Sequence, residues 1–398
     1  MLTNTQALDA ILAAMPSLPA ESASLSDSAG RVLRQSVVAE RDQPPFDRVM
    51  MDGIAIAHEA FAGGNRSFPI QATQAAGDPA LSLDSGAAIE IMTGASLPEH
   101  ADCVIPVERT TVADGFATLE DGYQPAKSQF IHAQASDHAA GTTLLRPGTR
   151  ITPADVAVIA SAGLARVDVT RAIVTRVIST GNELVAAGKE IAPHQVRMSN
   201  GPALVALLAR HGHADCAHEH ILDDPAALRE RIGANLEASD ALILSGGVSM
   251  GKADHVPDVL ADLGVKVSFH RISQRPGKPM WFGTGPRGQA VFALPGNPVS
   301  ALVCCRQYVV PALDKAAGAS PNAPEFASLA SDVSFEPDLT CFQPVSLVSN
   351  AAGQLLAVPV STNTSGDFTA LSGTDGYVEL AKEQSRFPAG TAVIVTRW

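Results

Sequence analysis

Positive charge and aromatic surface are both scarce in this sequence. Lys and Arg number 28 against 41 Asp and Glu, a net charge of −13, which argues against a nucleic-acid partner or an anionic membrane surface. Aromatic residues make up 5% of the chain, too few for a base-stacking platform. The five cysteines (Cys103, Cys216, Cys304, Cys305 and Cys341) form no C-x-x-C and are odd in number. That fits buried free thiols in a reducing compartment better than a disulfide framework. The histidine pairs His211/His213 and His218/His220 read as a polar helix end and its loop, and no H-E-x-x-H or Cys/His quartet offers a zinc site. No run of about eighteen apolar residues exists, so no membrane span is expected. The N-terminus lacks the basic region of a signal peptide, and a cytoplasmic location is expected.

What is present is length and apolar content. A chain of 398 residues with 46% hydrophobic residues holds two to four domains. Residues 3–14 read as an amphipathic helix, and a short helix is expected near 27–33. From 46 to 146 short apolar runs (54–57, 68–70, 88–92, 104–107, 116–119) alternate with Gly, Pro, Asp and Asn, the pattern of a small β module. Thr152-Pro153 opens a helix whose apolar body, 154–162, is expected to be buried and to return to the N-terminal helix. Residues 171–315 alternate strand and helix, which predicts a parallel α/β sheet. After Pro321 the runs 341–348, 355–360, 376–381 and 391–396 predict a compact β-domain.

Three punctuated blocks carry most of the chemistry. Ser-Gly-Gly-Val-Ser-Met-Gly-Lys-Ala-Asp-His (245–255), Arg-Pro-Gly-Lys-Pro (275–279) and Leu-Pro-Gly-Asn-Pro-Val-Ser-Ala (294–301) each adjoin a short apolar run. Loops of this kind are expected to gather at one edge of one sheet, where α/β folds bind ligands. Glycine lets backbone N–H groups approach an anion, and Lys252, Arg275 and Lys278 add positive charge. Asp254 in the same cluster suits a metal or a proton transfer. An anionic, phosphorylated ligand is the inference. The glycine loop matches neither G-x-x-x-x-G-K-[ST] nor G-x-G-x-x-G.

Other blocks have two readings each. Asp47-Arg48-Val49-Met50-Met51-Asp52-Gly53 contains a turn signal, yet two aspartates around an arginine and an apolar pair are unusual for a surface. Thr93 caps a turn or binds phosphate through its hydroxyl. Thr180 and Glu183, after the first α/β strand, suit a capping box or an anion-binding turn with a carboxylate beside it. Asp224 before Pro225 suits a helix cap more than a substrate contact. Cys304-Cys305 suits core packing.

In this order, the blocks resemble the molybdopterin molybdenumtransferase family, the MoeA proteins and the gephyrin E domain. The matching words are Pro-Pro-Phe-Asp-x-x-x-Met-Asp-Gly (44–53), Ile-Met-Thr-Gly-Ala-x-Leu-Pro (91–98), Leu-Leu-x-x-Gly (144–148), Ser-Thr-Gly-x-Glu-Leu (179–184) and the three blocks above. The resemblance implies a multidomain α/β plus β fold. A split scaffold domain (1–45 and 147–170) carries an inserted β-domain (46–146). A molybdopterin-binding α/β domain (171–320) and a C-terminal β-barrel-like domain (321–398) follow. It implies a homodimer whose cleft pairs the α/β domain of one subunit with the scaffold and insertion of the other. The implied reaction inserts molybdate into adenylated molybdopterin, releases AMP and requires magnesium. The enzyme that adenylates molybdopterin and the acceptor molybdoenzymes are implied partners.

Residue by residue, the resemblance gives catalytic roles to Asp52, Glu183, Asp254 and Lys278, the three acids also as magnesium ligands, since hard oxygens suit that ion. Thr93, Asp137, Thr180, Gly181 and Asp224 fall on substrate-binding positions. So do Gly246, Gly247 and Ser249 of the glycine loop, Arg275, and Pro295, Asn297 and Ser300 of the third block. Ser365 matches a serine from the C-terminal domain. The chain also departs from the family. Asn182 stands where aspartate is usual, Arg197-Met198 where Tyr-Asp is usual, and Arg275 where lysine is common. Leu339 and Pro344 stand around Phe342 in place of arginines, and Ala135-Ser136-Asp137 replaces Gly-Glu-Asp. The missing acids motivate a second reading, a non-catalytic paralogue that binds molybdopterin or molybdate or scaffolds partners. A weaker third is an adenylating enzyme related through the α/β domain alone.

Overall fold

The computed structural model describes residues 1–247 and 255–398. Asp254, Ser249 and Lys252 therefore lie outside the described residues. The chain forms two compact units, one of residues 1–34, 147–152 and 167–398, the other of residues 35–146 and 153–166.

In the first unit a six-stranded sheet has the order Cys216–Ile221, Thr175–Thr180, Ala241–Ser245, Ala290–Leu294, Trp281–Thr284, Lys266–His270. The first four strands are mutually parallel. Trp281–Thr284 runs antiparallel to both of its neighbours, so the sheet is mixed where a parallel one was expected. The reason is local: only the 271–280 turn separates Lys266–His270 from Trp281–Thr284, too short for a crossover helix. The sequence pattern makes His218 and His220 part of a loop after a helix end; the structure instead has an edge strand, Cys216–Ile221, there. Its backbone pairs along the whole length of Thr175–Thr180 all the same.

Strand alternation divides the apolar side chains between two cores. Val177, Ile243 and Phe292 face the helices Asn4–Ala14 and Asn200–Arg210 and the buried Cys304, Cys305 and Tyr308. Ile178, Leu244 and Val291 face Pro225–Glu237 and Val256–Asp262. Each such fully buried Ile or Val contributes about 1.5–3 kcal/mol. Thr3 and Gln6 form a capping box at the N-terminal helix, whose Ala7 and Ile11 enter the first core. No disulfide forms; Cys103, Cys304, Cys305 and Cys341 are buried thiols and Cys216 is half-buried.

The C-terminal strands close on themselves in the order Thr340–Ser349, Leu355–Pro359, Glu325–Leu329, Ala392–Arg397, Gly376–Leu380, with Gly376–Leu380 pairing back to Thr340–Ser349. The result is a closed five-stranded barrel around Val345, Val378 and Val393. Gln274–Arg275 adds to its edge beside Thr340 and Cys341.

The second unit holds a six-stranded sheet of order Cys103–Pro106, Gly53–Ile56, Ala88–Ile91, Ser67–Gln74, Phe116–Leu119, Thr110–Ala113. Its helix Pro153–Ser161 buries only Ile159, not the apolar body expected, because Val156 and Val158 point to partly open surface. The expected short helix near 27–33 is the single turn Leu25–Ser28. Among the described residues, no helix is long and apolar enough to cross a membrane.

Candidate functional site

The loops after Thr180, Ile221, Ser245, His270 and Leu294 all leave the same edge of the α/β sheet. Strand order reverses between Thr175–Thr180 and Ala241–Ser245, the topological switch point of such folds. A cavity of about 400 Å³ opens there. Its polar side is Ser179, Thr180, Asn200 and Ser245; its apolar side includes Leu184, Val196, Met198 and Phe368. Asn200 opens the helix Asn200–Arg210 and its amide donates to Ser245 Oγ and to the Gly296 carbonyl, both at 2.8 Å, tying three loops together. Thr180 Oγ1 and Asn200 Oδ1 are buried and have no hydrogen-bond partner among the described residues. A hydroxyl, which can donate or accept, and an amide oxygen, which accepts, both left open beside one cavity point to a polar ligand there.

The glycine loop begins at Gly246. A Cβ there would lie 2.7 Å from the Thr180 carbonyl oxygen, and φ is +94°. Only glycine lets the two loops approach this closely. Gly247 follows it, at the border of the described residues.

Glu183 lines the cavity. No helix starts at Thr180, so the capping-box reading fails: Leu184–Val185 is a short strand paired with Val196–Arg197. The turn is held from the edge strand instead. His220 Nε2 donates to the Gly181 carbonyl at 2.8 Å, and Asn182 and Asp223 exchange side-chain-to-backbone bonds at 3.1 and 3.3 Å. Asn182 thus has a positioning task that its amide oxygen performs. Arg197 turns its guanidinium to the carbonyls of Ala186 and Lys189, and Met198 lines the cavity. Asp224 caps the helix Pro225–Glu237, its Oδ1 accepting from Ala227 N at 2.8 Å.

A second cavity, about 390 Å³, is lined by Arg275, Lys278, Pro295, Asn297, Ser300 and Ser365, among others. Asn297 donates to Ser365 Oγ at 2.6 Å, which links the Pro-Gly-Asn-Pro turn to the C-terminal region. Arg275 lies over the Phe335 ring, 5.8 Å from its centroid. Neither Arg275 nor Lys278 is in an ion pair among the described residues. Two unpaired cations beside a concave surface in an acidic protein favour a small anion.

Asp52, Thr93 and Asp137 belong to the other unit. Thr93 donates to Asp52 Oδ1 through both its hydroxyl and its backbone N–H, each at 2.6 Å. Those two bonds, the hydroxyl first, hold the Asp52 carboxyl below its ordinary pKa, so it is an exposed, fully ionised carboxylate. Asp137 accepts from His132 Nε2 at 3.0 Å, and Arg48 donates to His132 Nδ1 at 3.0 Å.

Three family models match: the MoeA N-terminal region (domain I and II) over residues 2–163, a "Probable molybdopterin binding domain" over 176–315, and the MoeA C-terminal region (domain IV) over 327–398. The molybdopterin molybdenumtransferase of Synechocystis sp. is 38% identical over 401 residues, covering 100% of both chains. The chain belongs to the molybdopterin molybdenumtransferase family. Another member, from Haemophilus influenzae, is 32% identical over 404 residues, covering 99% of this chain and 98% of that one. Among solved structures, the molybdopterin biosynthesis MoeA protein of Pyrococcus horikoshii OT3 is 25% identical with a TM-score of 0.82, covering 100% of both chains. Members are transferases of molybdenum cofactor biosynthesis, and the fold resemblance read from the motifs holds along the whole chain.

Sequence reasoning missed Asn200, His220 and Phe368. Asn200 had a signal, since Ser199-Asn200-Gly201-Pro202 reads as a helix start. The other two had none, because only strand pairing and the turn at Phe368–Leu371 bring them to the site.

Proposed function

We propose that the chain inserts molybdate into adenylated molybdopterin, releasing AMP and forming the molybdenum cofactor. In this reading the switch-point cavity holds the adenylated pterin, and the 275–278 loop holds the molybdate dianion. The observation that carries it is the pair of buried atoms Thr180 Oγ1 and Asn200 Oδ1 beside that cavity, without a hydrogen-bond partner among the described residues. They suit the N–H and O–H donors of a pterin or nucleotide. The mixed wall of Met198, Leu184 and Phe368 suits a flat ring.

Magnesium belongs to the same reading. Asp52, Glu183 and Asp254 are the proposed ligands, since magnesium takes hard carboxylate oxygens. No group of three His, Cys, Asp or Glu gathers among the described residues, so phosphate oxygens and water would complete the shell. A bound magnesium would neutralise charge on the pyrophosphate. Lys278 would add to that charge neutralisation. The homodimer, the four-part domain division (1–45 with 147–170, 46–146, 171–320 and 321–398) and exchange with an adenylating enzyme and acceptor molybdoenzymes are further parts of the proposal. Light scattering checks the dimer.

The test is AMP release from adenylated molybdopterin with magnesium, with and without molybdate. Molybdate-dependent release is expected. Asp52→Ala and Glu183→Ala should each lower it by about 10²-fold or more with circular dichroism unchanged. Full activity in both variants would sink the site assignment. Pterin binding without AMP release would favour the non-catalytic paralogue.

A further inference from the structure

The loop that presents Arg275 and Lys278 rests on a buried amide. Gln274 is fully buried, one residue before Arg275. Burying an amide is costly unless its hydrogen bonds are made, and here they are. Its Oε1 accepts from the Tyr308 hydroxyl. Its Nε2 donates to the Pro276 carbonyl at 3.0 Å and reaches Cys304 Sγ at 3.6 Å. The Cys304 thiol in turn lies 3.7 Å from the Gly277 carbonyl as a donor. Burial raises its pKa far above the ordinary value, so it keeps the proton it donates.

Two successive carbonyls of the loop are therefore held from inside the protein. The fit is close: a Cβ on Gly277 would lie 2.4 Å from Cys304 Sγ and 2.6 Å from Gln274 Nε2, and φ there is +97°. The neck is closed by Ile272 N to Lys278 O at 2.9 Å and Met280 N to Gly277 O at 3.1 Å. Tyr308 reaches Gln274 from a π turn, Cys305–Val309, set between the helices Pro298–Cys304 and Val310–Ala317. Such turns often mark functional positions. Neither cation is in an ion pair among the described residues; the backbone below them sets where both side chains start, and Arg275 then lies over the Phe335 ring.

We propose that Gln274 is a positioning residue for the oxyanion: held by Tyr308, its amide fixes the 275–278 backbone and so sets the affinity for molybdate. This rests on the reading of that loop as the molybdate site. Methionine at 274 has nearly the same shape and no donor, so the Pro276 carbonyl would lose its partner. Phenylalanine at 308 removes the hydroxyl that Gln274→Met would strand.

The experiment measures KM for molybdate, KM for adenylated molybdopterin and the melting temperature in Gln274→Met, Tyr308→Phe, the double variant and Lys278→Ala. Gln274→Met should raise KM for molybdate roughly tenfold, the worth of one buried hydrogen bond, and leave KM for the pterin within about twofold. The double variant should match Gln274→Met in KM while regaining melting temperature, because the two residues act as one unit. A lower melting temperature with KM for molybdate unchanged would overturn the proposal and leave Gln274 a packing residue. So would equal rises in both KM values. Lys278→Ala separates the two levels. If it weakens molybdate and the double variant does not, positioning by Gln274 fails and the loop assignment stands. If Lys278→Ala has no effect, the loop assignment fails and the proposal with it.

Discussion

Gly246 and Thr180 show how one position serves both shape and binding. A methyl group at 246 would press on the Thr180 carbonyl from 2.7 Å and occupy a backbone region disfavoured by about 1–2 kcal/mol. Gly246→Ala is expected to lower AMP release at least roughly tenfold while the barrel and the second unit keep their melting behaviour. Thr180→Val is the sharper test. Its hydroxyl is buried and has no partner among the described residues, and a buried group left so costs about 1–3 kcal/mol. The valine variant should melt at the same or a higher temperature and bind the pterin more weakly. Unchanged pterin affinity, measured by calorimetry, would remove Thr180 from the site. Glycine-rich punctuation marked both loops in the sequence. That Thr180 faces a cavity depended on residues remote in sequence, Asn200, Ser245 and Phe368 among them.

At the scale of elements, Asp224 separates capping from substrate binding. Its carboxylate accepts from Ala227 N at the start of Pro225–Glu237. Asp224→Ala should destabilise the α/β unit by about 1 kcal/mol and leave AMP release within about twofold. A hundredfold loss of activity with unchanged stability would place it in the site. Cap residues and apolar strands were readable because their causes are local: an oxygen beside orphan N–H groups, or four or five consecutive apolar side chains buried on two faces. Elements whose cause is remote were not. Cys216–Ile221 is a strand because Thr175–Thr180 offers it a free edge. Trp281–Thr284 runs antiparallel because its connection is short. Thr180 and Glu183 matched a capping box, but the backbone after them pairs with Val196–Arg197 and never becomes helical.

Within the first unit, segments far apart in sequence meet at Asp314. It accepts from His213 Nε2 at 3.0 Å and pairs with Arg150, which also donates to the Gly30 carbonyl at 2.8 Å. Burial pushes the Asp314 carboxyl up, but the His213 bond, then the charges of His213 and Arg150, outweigh it and hold its pKa low. Beside them burial, and then Arg306, depress the pKa of His211 from 6.5 to about 4. Its Nε2 is buried without a hydrogen-bond partner among the described residues. The unfolded chain binds a proton near 6.5 that the folded His211 refuses until about 4. Stability is therefore full above 6.5 and falls as the pH drops from 6.5 towards 4. Asp314 acts later, its contribution being lost only below its ordinary 3.8. The melting temperature should thus fall between neutral pH and pH near 5, and His211→Gln should shrink that fall. It will not abolish it, because His218 and His270 are depressed by burial in the same sense. An identical fall in the variant would exclude His211 as a cause.

The family, the alternation that builds the α/β sheet, the closing β-domain and the loops that carry anion chemistry could all be read from the residues alone. These follow from local patterns, in which a residue and its neighbours within a turn or a strand suffice. Tertiary structure alone decided the order and direction of the strands, and with them the switch point where the cavity opens. It also decided which polar atoms lack partners among the described residues, as with Thr180 and Asn200, and which are satisfied from remote segments, as with Gln274 by Tyr308. Those outcomes depend on burial and on partners brought together by packing, and neither is a property of any short stretch of chain.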